Sequence, residues 1–161
     1  MSKVYKILAN PNPLLRERSN EVPIEAILKP EIQNLIDSMI ETMWRADGIG
    51  LAAVQIGVNL RVIIITRGTE AVPLINPVIT HKSIRKNSME EGCLSVPGFY
   101  GLVKRSKIVT VKAINRSGKE IKFKADGLES KIVQHEVDHI NGKLFIDRAK
   151  NIFPVESPTA L

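Results

Sequence analysis

A chain of 161 residues that is 43% hydrophobic and 25% charged has the composition of an ordinary globular protein and length enough for one domain with its own core. Its single cysteine excludes an intramolecular disulfide and fits a reducing compartment, and no apolar run approaches the ~20 residues a membrane span needs. The 23 Lys and Arg against 17 acids give a net charge of +6, scattered along the chain. That reads as a solubilising surface, with attraction to RNA or another polyanion as the alternative.

The opening Met1-Ser2-Lys3-Val4-Tyr5-Lys6 lacks the apolar core of a secretion signal. The protein is read as cytoplasmic, with an organellar mature form as the alternative. Pro11, Pro13, Pro23 and Pro30 mark residues 1–30 as an extended arm with short turns. Ile32, Leu35, Ile36, Met39, Ile40 and Met43 recur at helical spacing; Pro30 suits the start of that helix and Asp47-Gly48 its end. Gly48-Ile49-Gly50-Leu51-Ala52-Ala53-Val54-Gln55 reads as a tight turn between helix and strand. Arg61–Thr66 holds four consecutive β-branched residues, a buried strand. Pro73–Thr80 is a second strand, placed by Pro77 at an edge or a bulge. Lys82–Met89 reads as a loop or hairpin end, Lys107–Ile114 as a strand and Asn115–Gly118 as a turn. Ile121, Phe123 and Ala125 alternate with Lys122 and Lys124, a half-buried strand. Strands that precede helices rather than alternate with them predict an α+β fold. In it, antiparallel sheets surround a central helix, and the N-terminal helix packs outside. The chain is read as a single domain over 1–161, with a short tail from about residue 148.

The central helix is expected from Gly127 to Asn141, with Asp126 and Glu129 as a capping-box-like pair and Gly142 as the left-handed residue that ends it. Inside it, Gln134-His135-Glu136-Val137-Asp138-His139 reads H-E-x-x-H. Residues four apart lie one turn above each other, so His135 and His139 can offer two imidazoles to one metal ion. Glu136 between them is placed to take a proton from a water that the metal activates. Leu128, Ile132, His135 and His139 follow one face, toward an apolar interior. The bland alternative is two histidines one turn apart with an incidental acid.

Two ligands hold a metal poorly. The extended motif that adds a third histidine is closed, because Phe145 occupies its last position. Glu156 is the only downstream Glu and lies in a proline-flanked tail. His81 resembles an exposed strand residue. Cys93, within Glu91-Gly92-Cys93-Leu94-Ser95, is the remaining choice, and it leaves one coordination position open for water. Beside such a metal, Gln55 becomes a candidate amide donor to a developing oxyanion.

Together, Gly48–Gln55, Glu91–Ser95 and Gln134–His139 resemble, in order and spacing, the three signature motifs of peptide deformylases, with similarity running from about residue 4 to 147. The resemblance implies a hydrolase that removes the N-formyl group from the initiator methionine of new polypeptides. It implies a metal held by Cys93, His135 and His139, usually Fe2+, with Ni2+, Co2+ or Zn2+ able to replace it. It also implies that Gln55 and the Leu94 backbone N–H donate to the formyl oxygen, and that Gly50 contacts the extended substrate backbone. Ile49, Leu128 and Ile132 are expected as apolar walls for the methionine side chain.

Two features depart from the family pattern. Tyr100 stands where many members carry Arg, and the chain lacks the long basic C-terminal helix linked to ribosome docking, so tethering by that route is not expected. Lys131, one turn before His135, has no account at this level. The expected partners are N-formylmethionyl nascent peptides, with no membrane; the protein is expected to be a monomer. A metallo-endopeptidase and a basic protein with a purely structural metal are the competing readings.

Overall fold

The computed structural model describes residues 2–154. Pro30, at the first helical position, opens α1 (Pro30–Arg45), and Asp47 beyond its end takes a positive φ of 54°. The strands follow as β1 (Gly50–Ala52), β2 (Val62–Arg67), β3 (Glu70–Lys82), β4 (Lys86–Cys93), β5 (Val96–Ser106), β6 (Ile108–Ile114) and β7 (Glu120–Asp126). Then come α2 (Gly127–Ile140) and β8 (Lys150–Pro154). They form a five-stranded antiparallel sheet in the order β1-β2-β3-β6-β7 and a three-stranded one in the order β4-β5-β8.

The β-branched run in β2 is continuous because both faces of its sheet are covered. Ile63 and Ile65 pack with Val109 and Val111 against Ile132, Val133, Val137 and Ile140 of α2. Val62 and Ile64, one step out of phase, pack with Leu51 against Ile36, Met39 and Met43 of α1. Alternate residues of a strand point to opposite faces, so one strand serves two cores. Burial of each such side chain contributes roughly 1.5–3 kcal/mol. A third cluster joins Leu15, Val96, Val103, Leu144 and Phe145 around Cys93.

Helix α2 is buried on every side from Ser130 to Ile140. A helix so placed must satisfy its polar side chains internally. Ser130 Oγ and Gln134 Nε2 both donate to the Ser106 carbonyl (2.9 Å each), and Gln134 Oε1 accepts from the Ser106 N–H (3.2 Å). These bonds fasten α2 to the end of β5 and set its rotation.

Three local expectations are corrected, and a fourth, that Pro77 sits at an edge or a bulge, holds in its second form. Strand β3 lies at the middle of its sheet. Pro77 is tolerated there because the register shifts between Ile75 and Val78, at Asn76, whose φ is 49° and whose side chain bonds both the N–H and the carbonyl of Val22. Lys86–Met89 are not loop but the start of β4, paired with Val103–Ser106. Lys150–Pro154 pairs with β5 as β8, while Glu156 lies outside the described residues. Asp126 occupies the N-cap position of α2 but makes no side-chain cap bond, and Glu129 instead pairs with Arg67 (3.1 Å). Gly142 does follow the helix with φ +77°.

Candidate active site

Cys93 ends β4, where the hairpin turns into β5 and the register slips between Glu91 and Cys93. Its Sγ lies 3.2 Å from His139 Nε2, and His139 Nε2 lies 3.2 Å from His135 Nε2. The three ligand atoms fall within 4.8 Å of one another, and each of the three residues is at most 2% exposed. Two imidazole nitrogens and a sulfur directed at one point, all on buried side chains, are the donor set a d-block cation takes. The residues present therefore fit the metal that the sequence pattern implies.

The surroundings prepare this set. His135 Nδ1 is bonded to Glu91 Oε1 (2.8 Å), which fixes the ring and leaves Nε2 as the free lone pair. Glu91 in turn accepts two bonds from Arg105 (2.6 and 2.9 Å), and Arg105 reaches Asp138 Oδ2 (2.9 Å), which Arg148 also holds (2.7 Å). Burial alone would push the Glu91 carboxyl up, but the His135 and Arg105 bonds outweigh it and bring it down to about 2. Burial pushes the Cys93 thiol well up and His139 well down, so without a cation the site favours a neutral thiol and a neutral imidazole. A bound cation would supply the missing charge and make the thiolate the stable form. His139 Nδ1 has no partner among the described residues.

Glu136 is not a ligand in this geometry. It is 1% exposed, its Oε2 has no hydrogen bond among the described residues, and burial raises its pKa well above the ordinary value. A Cβ built on Gly50 would lie 2.9 Å from Glu136 Cδ, so β1 can run this close only as glycine. Gln55 stands on a short 3-10 turn after β1. Its Oε1 accepts from the Ala52 N–H (2.9 Å), and its Nε2 reaches Ser95 Oγ (3.1 Å) and, more loosely, Cys93 Sγ (3.8 Å). The N-terminal arm straps this corner: the Leu8 N–H donates to the Gln55 carbonyl (2.7 Å) and the Asn10 N–H to the Ser95 carbonyl (2.8 Å).

The structure thus brings together Cys93, His135, His139, Glu136, Gln55 and Gly50, with Leu94 next to Cys93 in the hairpin. Ile49 and Ile132 belong to the core that abuts the site, whereas Leu128 is 51% exposed and does not point into the apolar interior. His81 sits exposed on β3. Tyr100 stacks on Phe153, with ring centroids 6.5 Å apart, and Lys131 Nζ donates to the Glu90 carbonyl (2.6 Å). Glu91, Arg105 and Asp138 are the neighbours that sequence reading did not single out. Nothing in spacing distinguishes a buried charged residue on a strand from an exposed one.

Comparison with known proteins agrees with this geometry. The polypeptide deformylase family model matches residues 4–153. A peptide deformylase of Pelotomaculum thermopropionicum is 46% identical over 149 residues, covering 92% of this chain and 94% of that one. The crystal structure of the peptide deformylase from Thermotoga maritima superposes with a TM-score of 0.88 at 36% identity, covering 92% of this chain and 99% of that one. A class I type b peptide deformylase from Acinetobacter baumannii with Met-Ala-Ser bound gives a TM-score of 0.89 at 34% identity, covering 92% and 99%. With its cysteine and two histidines converged at one point and the match running almost end to end, the chain belongs to the polypeptide deformylase family.

Proposed function

We propose that Cys93, His135 and His139 hold one divalent metal ion, and that Glu136, Gln55 and the Leu94 backbone N–H carry out hydrolysis beside it. The reaction is the family's: metal-dependent removal of the N-formyl group from the N-terminal formylmethionine of newly made polypeptides, releasing formate. The observation that carries the assignment is the buried Cys93–His135–His139 cluster with Glu136 adjoining it and unbonded at Oε2. When bound, the metal supplies Lewis-acid polarisation and makes a water acidic enough to attack at neutral pH.

Glu136 accepts the proton of the attacking water. A carboxylate whose pKa is raised by burial is a better base near neutrality than an exposed one. As charge grows on the formyl oxygen, Gln55 Nε2 and the Leu94 N–H donate to it. Gln55 is preorganised for this because Ala52 holds its Oε1 and so fixes which end is the donor. Glu136 then delivers the proton to the departing amine. Gly50 lets the substrate backbone pass beside β1, and Ile49, Leu128 and Ile132 line the methionine side chain, with Leu128 as the outer, exposed lip.

Fe2+ is the proposed metal because the family resemblance implies it, with Zn2+, Ni2+ or Co2+ as replacements that a thiolate and two imidazoles can equally hold. No helix among the described residues is long and apolar enough to cross a membrane. We place the protein in the cytoplasm, as a single-domain monomer that acts on nascent chains. The test is turnover of formyl-Met-Ala-Ser against acetyl-Met-Ala-Ser by anaerobically purified, metal-analysed protein. Formate release from the first and no cleavage of the second is expected; internal peptide cleavage without formate release refutes the assignment.

A further inference from the structure

On another face of α2, away from Cys93, His135, His139 and Glu136, lies a cleft of about 340 Å³. Five cations from five separate segments line it: Arg18 of the N-terminal arm, Arg61 before β2, Lys82 at the end of β3, Lys143 after α2 and Arg148 before β8. The one carboxylate in the lining, Asp138, is already held by Arg105 (2.9 Å) and by Arg148 through both oxygens (2.7 and 2.9 Å). Arg18, Arg61, Lys82 and Lys143 form no ion pair among the described residues.

Arg61 is the telling member. It is only 6% exposed, and its bonds go to neutral oxygens, the Ile140 carbonyl (3.1 Å) and Asn141 Oδ1 (3.0 Å), both from a single guanidinium nitrogen. Burial first, and then repulsion from Arg18, push its pKa below the usual value, against a smaller opposing pull from Glu21. A guanidinium that is desolvated, rigidly aimed and short of a counter-charge is costly unless an anion sits beside it. Its orientation is fixed before any ligand arrives, so little ordering entropy opposes binding.

We propose that this cleft is an anion site that takes the phosphate groups of a small polyphosphorylated ligand. The volume falls within the range of small-ligand pockets, roughly 300–1,000 Å³. Guanidinium groups bind phosphate oxygens in a geometry that chloride does not exploit. The lining has no aromatic residue, so it offers no stacking platform of the kind that holds single-stranded nucleic acid.

Inorganic pyrophosphate titrated into zinc-loaded protein, followed by backbone amide shifts, tests the site. Saturable shifts at Arg18, Arg61, Lys82 and Lys143 are expected, and sodium chloride of matched ionic strength should not reproduce them. The double variant Lys82→Glu/Lys143→Glu changes two exposed side chains and should weaken the affinity by at least about tenfold, as loss of two close charge partners does. ADP binding more tightly than pyrophosphate identifies a nucleotide as the source of the phosphates; equal binding identifies free polyphosphate. Shifts that chloride reproduces, wild-type affinity in the double variant, or tighter binding of a 12-nucleotide RNA than of pyrophosphate would overturn the proposal.

Discussion

Gly50→Ala is the sharpest probe of the candidate site, because it perturbs the proposed base without touching a charge. The new Cβ would stand 2.9 Å from Glu136 Cδ and 3.0 Å from Cγ, where ordinary contact begins near 3.4 Å. The carboxyl group must therefore retreat by about 0.5 Å, the difference between 3.4 and 2.9 Å, and its nearer oxygen by more. The clashing atoms belong to the end of a side chain, so the fold can absorb the change. Misplacement by about 1 Å can cost ~10²-fold in rate, so a loss of roughly 10- to 100-fold in kcat is expected. Metal content and thermal midpoint should stay near those of the wild type. Turnover of formyl-Met-Ala-Ser, metal analysis and thermal unfolding on one preparation decide the matter. A folded, metal-loaded Gly50→Ala enzyme with turnover within twofold of wild type would refute the placement of Glu136 in the reaction.

Glu136→Gln should keep its metal and lose most turnover; metal content and rate measured together check this, and near-normal turnover would remove its proton-transfer role. Cys93→Ser should bind metal more weakly, because a neutral hydroxyl is a poorer ligand than a thiolate; a competitive chelator titration with unchanged affinity would send the search for a third ligand elsewhere. Gln55→Ala should lower kcat by ~10²–10³ with a smaller change in KM, and the unpaired Ala52 N–H should cost a further ~1–3 kcal/mol of stability, read by urea unfolding. Acid should unfold the apoprotein in two stages. His139 is depressed below its ordinary 6.5, so stability begins to fall as pH drops below that value. Glu91 lies at about 2 against an ordinary 4.5, so its contribution, about 3 kcal/mol, is present above 4.5 and is lost as pH falls from there toward 2. A urea midpoint that is flat between pH 5 and 3 would contradict the second stage.

The sequence disclosed α2, its ligands and Glu136 because spacing on a helix is a geometric statement: four residues make one turn, wherever the helix lies. It disclosed β2 because four β-branched residues in a row need two covered faces. The β4-β5-β8 sheet stayed largely hidden. Lys86–Met89 is exposed and polar, and its strand state comes from pairing with β5 rather than from its own composition. Pro77 marked the bulge at Asn76, which absorbs its missing N–H, but could not by itself exclude an edge. The Glu91–Arg105–Asp138 support was not readable either, since it joins three elements and becomes visible only once tertiary contacts are drawn.

Cys93 lies on β4, ahead of both histidines in the chain, and this bears on how the site is assembled during synthesis. Cys93 leaves the ribosome before either histidine, and His135 comes 42 residues later (135 minus 93). At ~5–20 residues per second, that interval lasts roughly 2–8 s. During it the thiol has neither its imidazole partners nor the packing of Phe145 that later buries it. A thiol oxidised at that stage has no thiolate to give when the histidines arrive. Oxidation of Cys93 during that interval would lower the yield of metal-competent protein, and a reducing compartment would protect against it.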